Sequence, residues 1–128
     1  MRMITIPVTT TGADASATGT AYSAFPLSGV VYALYVDWGS TAPAGTSDIT
    51  ITSESAPSIT YYSKLNSSTD AWVYPRAAVT DAAGTAVTYD ATNEIYEPFP
   101  INDRLKVVVA QCNALAPAAT VYAFIEER

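Results

Sequence analysis

Val30-Val31-Tyr32-Ala33-Leu34-Tyr35-Val36-Asp37-Trp38 carries apolar or aromatic side chains on both of the faces a β-strand would give it. Side chains alternate across a strand, so Tyr32, Leu34 and Val36 fall in one row and Val31, Ala33 and Tyr35 in the other. Two later stretches repeat the pattern. In Leu105–Cys112, Leu105, Val107 and Val109 oppose Val108, Ala110 and Cys112, with Lys106 breaking the series. In Val121–Ile125, Val121, Ala123 and Ile125 oppose Tyr122 and Phe124. A strand of an ordinary small sandwich has one core row and one wet row. One core absorbs one row of each pair. The surplus row needs a second cover, and in a chain of 128 residues the expected cover is another protein chain.

The segments around these strands are weaker but keep the same period. Met1–Val8 alternates Ile4, Ile6 and Val8 against Thr5 and Pro7. Pro7 cannot donate to a ladder, so residues 1–8 read either as an edge strand or as an N-terminal arm that adds a strand to a partner's sheet. Ala17–Tyr22 is a second strand, and Asp48–Thr52 turns Ile49 and Ile51 inward. Ile59–Leu65 carries the tandem Tyr61-Tyr62, which a regular strand sends to opposite faces. Ala71–Tyr74 is short, Val87–Tyr89 shorter still, and Glu94–Pro100 is irregular or edge-like because Pro98 and Pro100 bracket Phe99. Turn signals separate them at Gly12–Asp14, Gly39–Gly45, Asn66–Asp70, Asp81–Gly84 and Asn113–Ala118. No helical period is sustained over roughly 11 residues. The pattern predicts an all-β domain spanning residues 1–128: a single antiparallel β-sandwich, jelly-roll-like, of about eight short strands.

Composition narrows the function. Charged residues make up 14% of the chain and apolar ones 49%, against about 25% charged in a typical globular protein. Thr, Ser and Ala replace the missing charge, giving a surface that is cheap to desolvate and loses little rotamer entropy against a partner. The net charge of −6 and the absence of any Lys/Arg run disfavour direct nucleic-acid binding. No apolar stretch approaches a membrane span, and the Met1–Pro7 start has no signal-peptide core, so synthesis and maturation in a reducing cytosol are expected. The single cysteine, Cys112, has no internal partner and reads as a small buried hydrophobe.

Reactive chemistry is sparse. The sequence has no histidine, which removes the commonest general base and metal ligand and every Ser-His or Cys-His nucleophile system. A lone cysteine without histidine also leaves no structural zinc set. Glu94 with Glu97, and Asp81 with Asp90, are the carboxylate pairs that acid–base chemistry would need; short loops offer them no cleft, and solvated side chains are the expectation. Asp70, Asp81 and Asp90 match no spaced calcium loop. Neither an enzyme nor a cofactor or metal protein is expected.

Nine tyrosines and two tryptophans remain. Trp38 ends a strong strand and reads as core. Trp72, Tyr74, Pro75 and Arg76 form a compact aromatic–cationic group in which Arg76 stacks on a ring. Exposed Tyr and Trp serve as interface anchors or sugar platforms. The residues expected at an oligomer or partner interface are Ile4, Ile6, Tyr35, Tyr61, Tyr62, Trp72, Tyr74, Arg76, Tyr122 and Phe124.

Several segments, taken in order, resemble the head decoration, or cement, proteins of tailed bacteriophages. They are Tyr35-Val36-Asp37-Trp38-Gly39, Ser47-Asp48-Ile49-Thr50-Ile51, Trp72-Val73-Tyr74-Pro75-Arg76, Leu105-Lys106-Val107-Val108-Val109-Ala110 and Val121-Tyr122-Ala123-Phe124-Ile125. The resemblance runs from about Val30 to Ile125 and is one of texture and order, not of an invariant signature. It implies a homo-oligomer, most often a trimer, made in the bacterial host cytoplasm and seated on the capsid exterior of the virion, where it bridges major capsid protein subunits. No family residue carries over to a named role. Two other classes fit the same residues: a carbohydrate-binding or adhesion module built on Trp72, Tyr74 and one of Tyr61 or Tyr62, and a head–tail or tail structural protein.

Overall fold

The computed structural model describes residues 1–39 and 43–128; within the loop expected over Gly39–Gly45, positions 40–42 lie outside the described residues. Ten strands form among the described residues: β1 (Arg2–Val8), β2 (Ala17–Tyr22), β3 (Leu27–Asp37), β4 (Asp48–Ser53), β5 (Thr60–Lys64), β6 (Ala71–Val73), β7 (Arg76–Ala78), β8 (Tyr96–Asp103), β9 (Leu105–Cys112) and β10 (Ala119–Glu127). The larger sheet has the order β1-β10-β3-β8-β7, with β6 alongside β3, and the smaller sheet has the order β2-β9-β4-β5. Every pairing is antiparallel. The pairs nest: β1 with β10, β2 with β9, β3 with β8, and β4 with β5. That nesting is a long ribbon rolled into two facing sheets, the jelly roll. β6 and β7 are additions within the connection from β5 to β8; β6 matches the short strand expected at Ala71–Tyr74, and β7 was not expected.

The alternating pattern builds the core directly. From the larger sheet, Ile6, Val8, Val31, Leu34, Val36, Val121 and Ile125 are almost fully buried, and from the smaller one Ile49, Ile51, Leu105, Val107 and Val109. Trp38 joins them, as the sequence suggests, with its backbone N–H donating to Asp70 Oδ1 at 2.8 Å. Cys112 is buried and free. The buried hydroxyls are answered locally: Ser23 Oγ accepts from Leu105 N–H at 3.1 Å and donates to Phe25 O at 2.9 Å. No buried side-chain polar atom among the described residues lacks a partner, as a well-packed interior requires.

Two open readings are decided and three expectations need correction. Of the two readings of residues 1–8 the edge strand holds, since β1 lies beside β10, and Ile4 and Ile6, expected at an interface, are at 8% and 1% exposure and belong to the core of their own chain. Burial of that apolar row outweighs any gain from lending the strand elsewhere. Glu94–Pro100 is edge-like, as its prolines suggest, and regular from Tyr96, because β8 meets β7 through Tyr96–Pro98 and β3 through Phe99–Asp103. Each half is therefore an edge, where a proline's missing donor is tolerated. Val87–Tyr89 is not a strand; the region holds the isolated bridges Thr80↔Ala86 and Thr88↔Glu94. Tyr61 and Tyr62 do not part to opposite faces. The β4–β5 register shifts between Ile51 and Thr52, leaving Tyr61 as an extra residue, while Tyr62 stands opposite the inward Ile51. Both consequently pack on the core.

A second bulge controls β3. Phe124 pairs with Ala33 and Ile125 with Val31, so Tyr32 is the unpaired extra residue. Strict alternation groups Tyr32 with Leu34 and Val36. The bulge instead keeps Val31 and Leu34 both inward and turns Tyr32 and Ala33 toward the outer side with Tyr35.

Candidate functional site

The outer surface of the larger sheet is assembled from the rows left over after the core is filled. Cross-strand register places Thr5, Tyr122, Tyr35 and Trp72 side by side across β1, β10, β3 and β6. One step along, Met3, Phe124 and Ala33 make a parallel row. Directly opposed residues in a sheet share a face with Cβ atoms roughly 5 Å apart, close enough for rings to meet. Tyr35 and Trp72 have centroids 4.9 Å apart, Trp72 and Phe124 5.6 Å, and Tyr35 and Tyr122 6.4 Å. Trp72 and Tyr74 lie nearly parallel, 13° between planes at 6.3 Å. Ala33, although on the outer row, is only 3% exposed: its small side chain is roofed by the rings around it. Tyr35, Tyr122 and Phe124 are half-buried, whereas Trp72 and Tyr74 are 54% and 57% exposed.

The surplus rows of β3 and β10 thus cover one another in part and still leave a broad aromatic surface. Formal charge on it is confined to the margins. Asp37 stands at one end, opposite Thr120, its carboxylate accepting from Gly39 N–H at 2.8 Å. Arg76 stands at the other, paired with Pro98. Its Nη1 donates to Tyr32 O at 2.9 Å and Pro75 O at 2.8 Å, and its guanidinium lies 5.2 Å from the Tyr32 ring centroid. Tyr32 falls between the stretch of β3 paired with β8 and the stretch paired with β6, so Arg76 fills a gap in the ladder. The expected stacking of Arg76 on an aromatic face is met by Tyr32.

The outer surface of the smaller sheet has another character. Val108, the outward residue of β9, sits between Thr20 and Thr50, and Ala110 sits opposite Asp48. Of the second row of β9, Cys112 turns into the core, and Val108 and Ala110 stay half-buried on the outer side among polar neighbours, so no aromatic surplus forms there.

Of the residues expected at an interface, Tyr35, Trp72, Tyr74, Tyr122, Phe124 and Arg76 come together on this one surface. Ile4, Ile6 and Tyr61 do not, being core, and Tyr62 is half-buried on the inner side. Tyr61 donates its hydroxyl to Pro100 O at 2.8 Å; burial, with the Asp103 charge second, pushes its pKa up to about 12. Met3, Tyr32 and Ala33 were missed. Alternation carried a signal for Met3 beside Ile4 and for Ala33 in the row of Tyr35, but the bulge that turns Tyr32 out leaves none.

Carboxylates elsewhere act as turn clamps. Asp81 Oδ1 accepts from Ala83 and Thr85 N–H at 2.9 and 3.0 Å. Asp90 Oδ1 accepts from Thr92 and Asn93 N–H at 2.7 and 2.6 Å, and these backbone bonds hold its pKa down to about 2. Asp70, Asp81 and Asp90 do not gather, and no group of three or more potential ligands forms among the described residues. A cleft of about 300 Å³ between the β4–β5 corner and β8 is lined by Ser53, Pro57, Ile59, Tyr61, Ile101 and Asp103. Its polar groups are engaged: Ser53 Oγ accepts from Ile59 N–H at 2.8 Å, and Asp103 from Ser55 N–H at 2.6 Å and Arg104 N–H at 2.8 Å. No protein-family model, curated protein or solved structure matches the chain.

Proposed function

We propose that this chain is a non-catalytic structural protein of a tailed-bacteriophage virion, a decoration component that binds the outside of the capsid and bridges its major subunits. The observation that carries the reading is the aromatic outer surface of the larger sheet, rigid and largely uncharged. Large rings on a sheet lose little conformational entropy when covered, and each square ångström of apolar area removed from water contributes about 25 cal/mol. Association costs of about 4–15 kcal/mol mean that several of these rings must be covered together. Copies arranged symmetrically on a shell meet that condition through effective concentration, so modest contacts per copy multiply. The jelly roll, frequent among viral capsid and lectin domains, supports the reading by analogy of fold alone.

The test has two arms. Sedimentation equilibrium at micromolar concentration is expected to give an oligomer, a trimer by the family resemblance, and incubation with purified shells is expected to give binding to expanded but not unexpanded particles. A strict monomer that ignores both shell forms sinks the reading. A sugar-binding role is favoured by one observation, the nearly parallel and exposed Trp72 and Tyr74 rings. Under that alternative, tryptophan fluorescence shifts on titration with polysaccharides while shells are not bound.

A further inference from the structure

Between β7 and β8 the chain leaves the sandwich. Residues 79–96 contribute nothing to the core: Val79 and Ala86 are half-buried and the rest are exposed. The excursion is nonetheless ordered by its own backbone. Val79 N–H donates to Ile95 O at 2.8 Å, Val87 N–H to Val79 O at 2.8 Å, and Ile95 N–H to Val87 O at 3.2 Å, closing a cycle across three limbs. Asp81 and Asp90 clamp the two turns that join those limbs. The result is a preorganised projection that presents Val87, Tyr89, Ile95 and Tyr96, at 37%, 70%, 41% and 60% exposure, away from the core.

Charge is segregated onto the same segment. Residues 79–97 hold no lysine or arginine, whereas Asp81, Asp90, Glu94 and Glu97 all lie there; the other eight acids of the chain are largely offset by its six basic residues. We propose that the projection at residues 79–97 is a docking element for a positively charged protein surface, and, resting on the reading above, that this surface belongs to the capsid shell. Anionic membranes and nucleic acids are repelled by the same charge. A second copy of this chain offers only single bases to receive it: Arg2 is paired with Glu127 and Arg104 with Glu54, and the others, Lys64 on β5, Arg76 on β7, Lys106 on β9 and Arg128 after β10, stand on four different parts of the fold. The division of labour follows: the uncharged aromatic sheet surface serves contact between like-charged copies, and the acidic projection serves the shell. Preorganisation means that little ordering entropy is lost on docking.

The test compares binding of the wild-type protein, E94Q/E97Q and V87T/I95T to purified expanded shells at 50 and 500 mM NaCl. Both glutamates are exposed and clamp no turn, and glutamine at 94 can still accept the Tyr96 hydroxyl bond. The charge variant is expected to bind about three- to tenfold more weakly at low salt and to match the wild type at high salt, where screening reaches within a few ångströms. The apolar variant is expected to bind more weakly at both. Wild-type binding that is insensitive to salt and unchanged in E94Q/E97Q overturns the inference and leaves the decoration role standing. Loss of self-association in E94Q/E97Q with shell binding intact overturns it too, assigning the projection to contact between copies. A wild-type protein that binds no shell removes the decoration role and this inference with it.

Discussion

Tyr61 joins the two sheets at one end of the sandwich, since it stands on β5 and donates its hydroxyl to Pro100 on β8. Its ring meets Phe99 edge-on at 5.9 Å. Burial favours the neutral phenol and pushes its pKa up to about 12, from about 10 in an unfolded chain. The unfolded state therefore loses this proton first, and the stability tied to Tyr61 is full below pH 10 and falls as pH rises from 10 to 12. The loss is on the order of 2–3 kcal/mol. Tyr61→Phe is expected to cost about 1 kcal/mol at neutral pH and to flatten this alkaline slope; urea unfolding of both proteins at pH 8, 10 and 11 checks it. Gly29 is fixed by space as well as by conformation. Its φ is +142° and an added Cβ would lie 2.0 Å from Glu126 O, whereas Gly84, at φ +85°, has open space around it. Gly29→Ala should cost more than about 2 kcal/mol and Gly84→Ala only about 1 kcal/mol, which thermal unfolding resolves.

Strand β3 is the element on which both the core and the aromatic surface depend. Its bulge at Tyr32 lets Val31 and Leu34, three residues apart, enter the same core. Deleting Tyr32 removes the bulge and brings Val31 and Ala33 into one-for-one pairing with Ile125 and Phe124, so both halves of the strand keep their core rows inward. That deletion is expected to keep a cooperative melt, and Tyr32→Ala, which keeps the bulge, should cost about 1 kcal/mol. Circular dichroism melts of the two proteins separate register from ring packing. Leu34→Ala, at a fully buried site, should cost about 2–5 kcal/mol by leaving a cavity. Trp72→Ala removes a half-exposed ring from the outer surface and should change stability by no more than about 1 kcal/mol. A comparable loss in both variants would mean that the outer aromatic layer is structural and not a surface awaiting a partner.

At the scale of the whole molecule, the sandwich presents two dissimilar broad faces, one threonine-rich and one aromatic, and a projection that carries most of the net charge. The paired substitution W72A/Y74A is expected to leave the fold intact and shift the sedimentation mass toward the monomer; an unchanged mass excludes the aromatic face from self-association. The sequence by itself determined the fold class, because alternation of apolar residues and spacing of turns are local properties that sheet geometry reads without ambiguity. It also located Tyr35, Trp72, Tyr74, Tyr122 and Phe124 as residues beyond the needs of one core, since two apolar rows on one strand cannot both face inward. Only the tertiary structure decided that Ile4, Ile6 and Tyr61 are core, that Val108 of β9 stands between threonines while Cys112 turns inward, and that Tyr32 turns outward. Those outcomes depend on which strand lies beside which and on single-residue register shifts. A bulge moves a side chain from one face to the other without altering the local pattern that announced the strand, so pairing across the sheet, and not composition along the chain, assigns the surface.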